Sequence, residues 1–200
     1  GEGESLRRDV KDSMWANLPP ELKEAVVLSD LPDRESGAVL LTTNGNFQRL
    51  ATLPQRESVE VTYEIVIPRP ASHVQLEQIK RGKVVAVPTP GSRMQRVLVR
   101  PRQAEIVRST PSDSVIRVVV PEHHGRHIWL LLDEIGLSPE HMTRVKVGSA
   151  GLNGMRAGDY RRVTWGELVE LMTTFGMAPA TVRSLSGEHE HAMQEESEDR

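Results

Sequence analysis

Cysteine is absent from the 200-residue sequence. That excludes a disulfide framework, a zinc–thiolate site and a thiol nucleophile, and leaves the redox compartment open. Aromatic residues are scarce, at 4 % of the chain, which argues against a platform stacking a run of single-stranded bases. No apolar run approaches the roughly 18 residues of a membrane span. The longest apolar stretches, such as 115–120 (interrupted by Arg117) and 128–132, are sized for a strand and a core helix. A strong net charge is lacking too: the formal value is −3, and by itself it announces no nucleic-acid partner.

What is present is unevenly placed. Hydrophobic residues, 38 % of the total, suffice for one large domain with a sizeable core. Between positions 80 and 108 the charged residues are Lys80, Arg81, Lys83, Arg93, Arg96, Arg100, Arg102 and Arg108, opposed only by Glu105. The chain end carries Glu188, Glu190, Glu195, Glu196, Glu198 and Asp199. A basic middle with an acidic end suits a protein that meets an anionic polymer through one region. The first residue is Gly1, as expected of a fragment or a processed product, with removal of a targeting peptide one route to the latter.

Three parts are expected: a polar lead-in over 1–12, a domain over 13–178, and an acidic, disordered tail over 179–200. Within the domain, a short helix is expected from about Pro20, where Pro19-Pro20 suits a first turn. A buried strand comes next at 39–43, ended by the turn pair Asn44-Gly45, and helical spacing runs from Phe47 to Leu53. Positions 59–67 alternate, with Val59, Val61, Tyr63, Ile65 and Ile67 on one face, as in a half-buried strand. A helix at 74–81 ends at Gly82, and strands succeed it at 83–87, 96–100, 104–109 and 114–120. Then come a helix at 126–135 stopped by Gly136, a strand at 144–147, and a helix at 164–175 with Thr164 and Glu167 as a capping box. The pattern is α+β, a mixed and mainly antiparallel sheet with helices packed on it.

The run from Leu31 to Gly45, LPDRESGAVLLTTNG, holds Leu31, Gly37, an apolar stretch at 39–41, Thr42 and Gly45. It resembles the signature segment of the pseudouridine synthases that modify ribosomal RNA (the RsuA-like branch). There, Gly-Arg-Leu-Asp is followed at fixed spacing by Gly, a run of leucines and Thr-Asn-Asp-Gly. Downstream, Val59-Glu60-Val61-Thr62-Tyr63 is similar to the family's Val-x-Lys-Thr-Tyr strand, and Arg126-His127-Ile128 to the Arg-Gln-Val opening its Arg-rich helix. Lys146-Val147-Gly148, Leu152, Gly158-Asp159-Tyr160-Arg161 and Glu167-Leu168 are similar to its closing part. The likeness spans about 18–171; the family's small N-terminal RNA-binding domain and the first strand of its catalytic domain are not evident.

The resemblance implies the catalytic-domain fold and a reaction that detaches uracil from ribose and reattaches it through carbon. That chemistry needs a carboxylate, an aromatic ring to stack on the base, and positive charge to keep the carboxylate ionised. The catalytic Asp follows Leu in the family motif, but here Leu31 is followed by Pro32, and the preceding Gly-Arg is Ser29-Asp30. The basic residue before Thr-Tyr is Val61, and the helix arginine that would pair with the carboxylate falls on Trp129 or Leu130. Tyr63 remains as the stacking residue, or else as an ordinary core tyrosine. Loss of catalysis is therefore expected. The fallback is a one-residue slip that brings Asp33 into the catalytic slot, with Tyr63 and Arg126 beside it; otherwise Asp33 is a loop carboxylate.

His123, His124 and His127, with Glu122 nearby, resemble a metal cluster, but Gly125 interrupts them and no second ligand group stands out. They are read as a polar or RNA-facing loop, and no metal or cofactor is expected. Gly151, Gly154 and Gly158 are read as turn glycines, since no Gly-Lys-Ser/Thr follows them. Lys80, Arg81, Lys83, Arg93, Arg96, Arg100, Arg102 and Arg126 are the candidate phosphate contacts to structured RNA, the alternative being a solvated sheet face. The expectation is a catalytically inactive homologue that binds structured ribosomal RNA as a subunit component or assembly factor. Its expected setting is mitochondrial, otherwise cytoplasmic, with ribosomal or assembly proteins as partners and no membrane. The rivals are an active ribosomal-RNA pseudouridine synthase using Asp33, and a protein-interaction module whose basic residues scatter over different faces.

Overall fold

The fold comes from a computed structural model that describes residues 18–32, 34–51, 59–89 and 93–177. The expected lead-in and acidic tail, together with Asp33 and Leu53, lie outside the described residues.

The alternation at 59–67 builds the central strand, β4 (Glu60–Ile67), whose Val61, Tyr63, Ile65 and Ile67 enter the core at 1 % exposure or less. On one side lies β8 (Ser114–Pro121), paired antiparallel from Glu60↔Pro121 to Ile67↔Ser114, with β7 (Gln103–Ser109) beyond it. On the other side β9 (His141–Val147) runs antiparallel, flanked by β10 (Ala150–Gly151) and by β2 (Glu35–Gly37), the latter in parallel. Two small ladders stand apart: β1 (Val26–Val27) with β3 (Leu41–Thr42), and the hairpin of β5 (Lys83–Thr89) with β6 (Arg93–Val99). The sheet is thus mixed and mainly antiparallel, as the sequence pattern implied.

Helices cover it through their apolar stripes. The helices are α1 (Gly45–Ala51), α2 (His73–Arg81), α3 (Glu122–Gly125), α4 (Ile128–Glu134) and α5 (Trp165–Thr174). Ser72 and Gln75 form a capping box on α2, which buries Leu76 and Ile79. Thr164 and Glu167 form the expected one on α5, which buries Leu171 and Met172. Two hydrogen bonds from Arg161, at 2.6 and 2.7 Å, hold the Glu167 carboxyl down to a pKa of about 2.

Several local expectations change. His123 and His124, expected in a loop, lie in α3. Asn44-Gly45, expected as a turn between strand and helix, opens the helix directly, because the Asn44 side-chain oxygen accepts from the N–H groups of Asn46 and Phe47, both at 3.0 Å. The strand expected at 39–43 shrinks to Leu41–Thr42, while β1 and β2 are too short to show a period. Gly151, expected in a turn, lies in β10.

Candidate functional site

Tyr63 sits at the middle of β4, and a bulge decides what it faces. The β4–β9 register runs Thr62↔Lys146 and then Tyr63↔Arg144, leaving Val145 as the extra residue. Plain alternation would set Arg144 on the face opposite Val147. The bulge turns Arg144 into the core beside Tyr63, at 2 % exposure.

A buried guanidinium is tolerable only when its donors are satisfied. Arg144 Nε donates to Ala38 O at 2.7 Å, Nη1 to Asp30 O and Ser29 Oγ at 3.0 Å each, and Nη2 to Ser29 O at 2.8 Å. The Ser29 hydroxyl in turn donates to Glu122 Oε1 at 3.0 Å, so a serine relays a carboxylate's charge to the arginine. Gly37 permits this close seating: at φ +118°, a Cβ there would meet the Arg144 carbonyl oxygen at 2.2 Å.

Glu35, on β2, lies beside this network, within reach of the Arg144 charge. Both of its carboxylate oxygens are shut from solvent, and among the described residues neither finds a hydrogen bond of good geometry. Burial raises its pKa above the ordinary 4.5, while the nearby Tyr63 hydroxyl and the charges of Arg144 and Arg126 pull it back in part. Burial likewise pushes the Tyr63 hydroxyl well above its ordinary value, and the Glu35 charge adds to this. Tyr63 is only 1 % exposed. Its hydroxyl lies 2.8 Å from where a Cβ on Gly125 would stand, so α3 lies directly over it. Around Ser29 and Glu122 a void of only about 10 Å³ remains. The centre is packed shut.

A second feature is open. A cleft of about 860 Å³ lies between the end of α2, the turn from β6 to β7, and α3. Lys80, Arg100, Arg102, His123 and His124 line it, over Leu98 and Ala104, with no carboxylate among the lining residues. The two imidazole rings lie against each other with centroids 4.1 Å apart. His127 is not in the cleft; burial, then the Arg126 charge, lowers its pKa and favours the neutral ring.

No known family profile matches the chain. Among solved structures, a pseudouridylate synthase superposes with a TM-score of 0.65 at 19 % identity, over 79 % of this chain and 64 % of that one. A Cbf5–Nop10–Gar1 complex gives 0.49 at 16 % identity over 66 % and 42 %, and an archaeal box H/ACA Nop10–Cbf5 complex 0.46 at 16 % over 68 % and 43 %. The chain therefore spans less than two thirds of the structures it matches. The domain has the pseudouridine-synthase fold.

Within that pseudouridine-synthase-like domain, the position that the resemblance gives to the catalytic aspartate is Pro32, whose carbonyl accepts the Glu35 N–H at 2.9 Å. The fallback residue Asp33 lies outside the described residues. Tyr63 is where the sequence placed it, though buried in the core, and Arg126 is exposed and near enough to act on Glu35. Trp129 and Leu130, on which the family's arginine falls, pack against the core. The family's basic positions are occupied here by Val61 and by Trp129 or Leu130, and positive charge beside Tyr63 comes instead from Arg144 of β9. The phase of Met142 and Arg144 was the signal available, but Val145 and Val147 obscured it. Of the eight candidate RNA contacts, Lys80, Arg100 and Arg102 converge on the cleft. Lys83 instead caps α4, its Nζ donating to Glu134 O at 2.9 Å, and Arg81, Arg93, Arg96 and Arg126 do not line the cleft.

Proposed function

We propose that this chain is a non-catalytic relative of the pseudouridine synthases that binds structured RNA. The observation that carries the reading is the closed centre. Pro32 stands at the carboxylate's place, Tyr63 has no room for a stacked base, and Arg144 gives four of its five donors to Ser29, Asp30 and Ala38. An arginine engaged in this way braces the loop and does not orient a reacting carboxylate. RNA binding is supported by the convergence of Lys80, Arg100 and Arg102 on an open, carboxylate-free cleft. We place the protein on ribosomal RNA, as a subunit component or assembly factor with ribosomal or assembly proteins as partners, in mitochondria or otherwise in the cytoplasm.

One observation favours a second reading, an active ribosomal-RNA pseudouridine synthase. Glu35 puts a carboxylate beside Tyr63 and Arg144, and Asp33 is two residues away. Pseudouridine mapping of ribosomal RNA decides between them, using cells that contain the protein, lack it, or carry Glu35→Gln or Asp33→Ala. Unchanged pseudouridine with deficient ribosomal subunits on depletion is expected. A pseudouridine lost both on depletion and in either variant would establish the enzyme.

A further inference from the structure

We propose that the cleft beside α3 holds one nucleotide turned out of a folded RNA, at a bulge or loop. Its phosphates lie against Lys80, Arg100 and Arg102, and its base against His123 and His124. The proposal rests on the RNA-binding reading and names what that cleft takes.

Size admits it. At about 860 Å³, the cleft falls within the ~300–1,000 Å³ typical of pockets that enclose a small ligand. Charge selects an anion, since three permanent cations and no carboxylate line the walls. Lys80 is paired with Glu77 at 2.9 Å and Arg102 with Glu60 at 3.7 Å. Both pairs are exposed and therefore weak, so a phosphate can displace them. Arg100 makes no ion pair among the described residues.

Shape selects a nucleotide over a bare phosphate. The His123 and His124 rings, inclined at 56°, place aromatic surface beside the cations, and imidazole is among the rings on which splayed-out RNA bases stack. Leu98, 52 % exposed, and Ala104 supply the apolar floor. A paired helix offers no free base for such a cleft, whereas a bulge does. One base is also all that a chain this poor in aromatic residues accommodates. The cleft is separate from the Tyr63 centre: Gly125 of α3 packs on Tyr63, while His123 and His124 of the same helix line the cleft.

The test is fluorescence anisotropy of the full chain with two labelled blunt-ended RNA duplexes, one fully paired and one identical except for a single bulged nucleotide. The bulged duplex is expected to bind about fivefold tighter or more. His123→Ala/His124→Ala removes that preference and leaves affinity for the paired duplex, whereas the exposed Arg100→Gln weakens both. Equal affinity for the two duplexes, or a preference that survives the double histidine variant, overturns the nucleotide pocket while RNA binding stands. Binding to neither duplex overturns the RNA-binding reading itself, and direct binding of labelled poly-glutamate in that case would reassign the cleft to an acidic protein.

Discussion

On one side of α3, Gly125 leaves just enough room for the Tyr63 hydroxyl, and a buried arginine gives its donors to three backbone carbonyls and a serine. On the other side, His123 and His124 border an open cleft whose cations hold at most exposed, weak partners. The two regions have similar ingredients (arginine, a ring, a nearby carboxylate) but opposite degrees of satisfaction. A polar group whose valences are met inside the protein stabilises the fold. One left open to solvent remains available to a ligand. The comparison explains how a fold of this kind can keep its architecture around a closed centre while its open surface lies a few residues away.

The difference can be broken most strongly at Arg144. Arg144→Met strands the carbonyls of Ser29, Asp30 and Ala38, and is expected to cost about 3–5 kcal/mol in urea unfolding. Where the variant stays folded, its RNA affinity is expected to be unchanged; a loss of less than about 1 kcal/mol would deny the bracing role. The opposite profile is expected for Arg100→Gln combined with Arg102→Gln. RNA affinity falls about tenfold and the slope of log affinity against log salt drops by about 2, with the unfolding midpoint held. An unaltered salt slope would remove these residues from the phosphate path.

The smallest expected effect is at Glu35. Burial raises its folded pKa above the 4.5 of the exposed acid, so folding favours the protonated form. Its stabilising contribution is complete below the unfolded value and is lost as pH rises through the folded one. Glu35→Gln should therefore remove this decline and raise stability at pH 7 by about 1 kcal/mol, read from unfolding at pH 4 and pH 7. An identical pH profile for variant and parent would show that the carboxylate is already satisfied.

Much of the scaffold was legible because its signals are local. The alternation of Val61, Tyr63, Ile65 and Ile67 marks β4, and Thr164 with Glu167 marks the start of α5. Asn44 was read as part of a turn because the same residue type serves turns and helix caps, and the conformation of residues 46–51 selects between them. Glu35 escaped notice because a three-residue parallel strand has no readable period and its burial depends on β9, more than a hundred residues away. The cations of the cleft were all in view, but the linear order did not separate Arg100 and Arg102 from Lys83, which turns away to cap α4.

The amino-acid sequence by itself determined the α+β class, the central strand, the main helix boundaries, and the absence of a carboxylate at position 32. Only the tertiary structure decided that Arg144 enters the core, that the Glu35 carboxylate is shut from solvent without a good partner among the described residues, and that three of eight basic residues share one cleft. The physical reason is range. Periodicity and capping act over a few residues, whereas a bulge, a parallel pairing or a converging cleft depends on segments far apart in the chain.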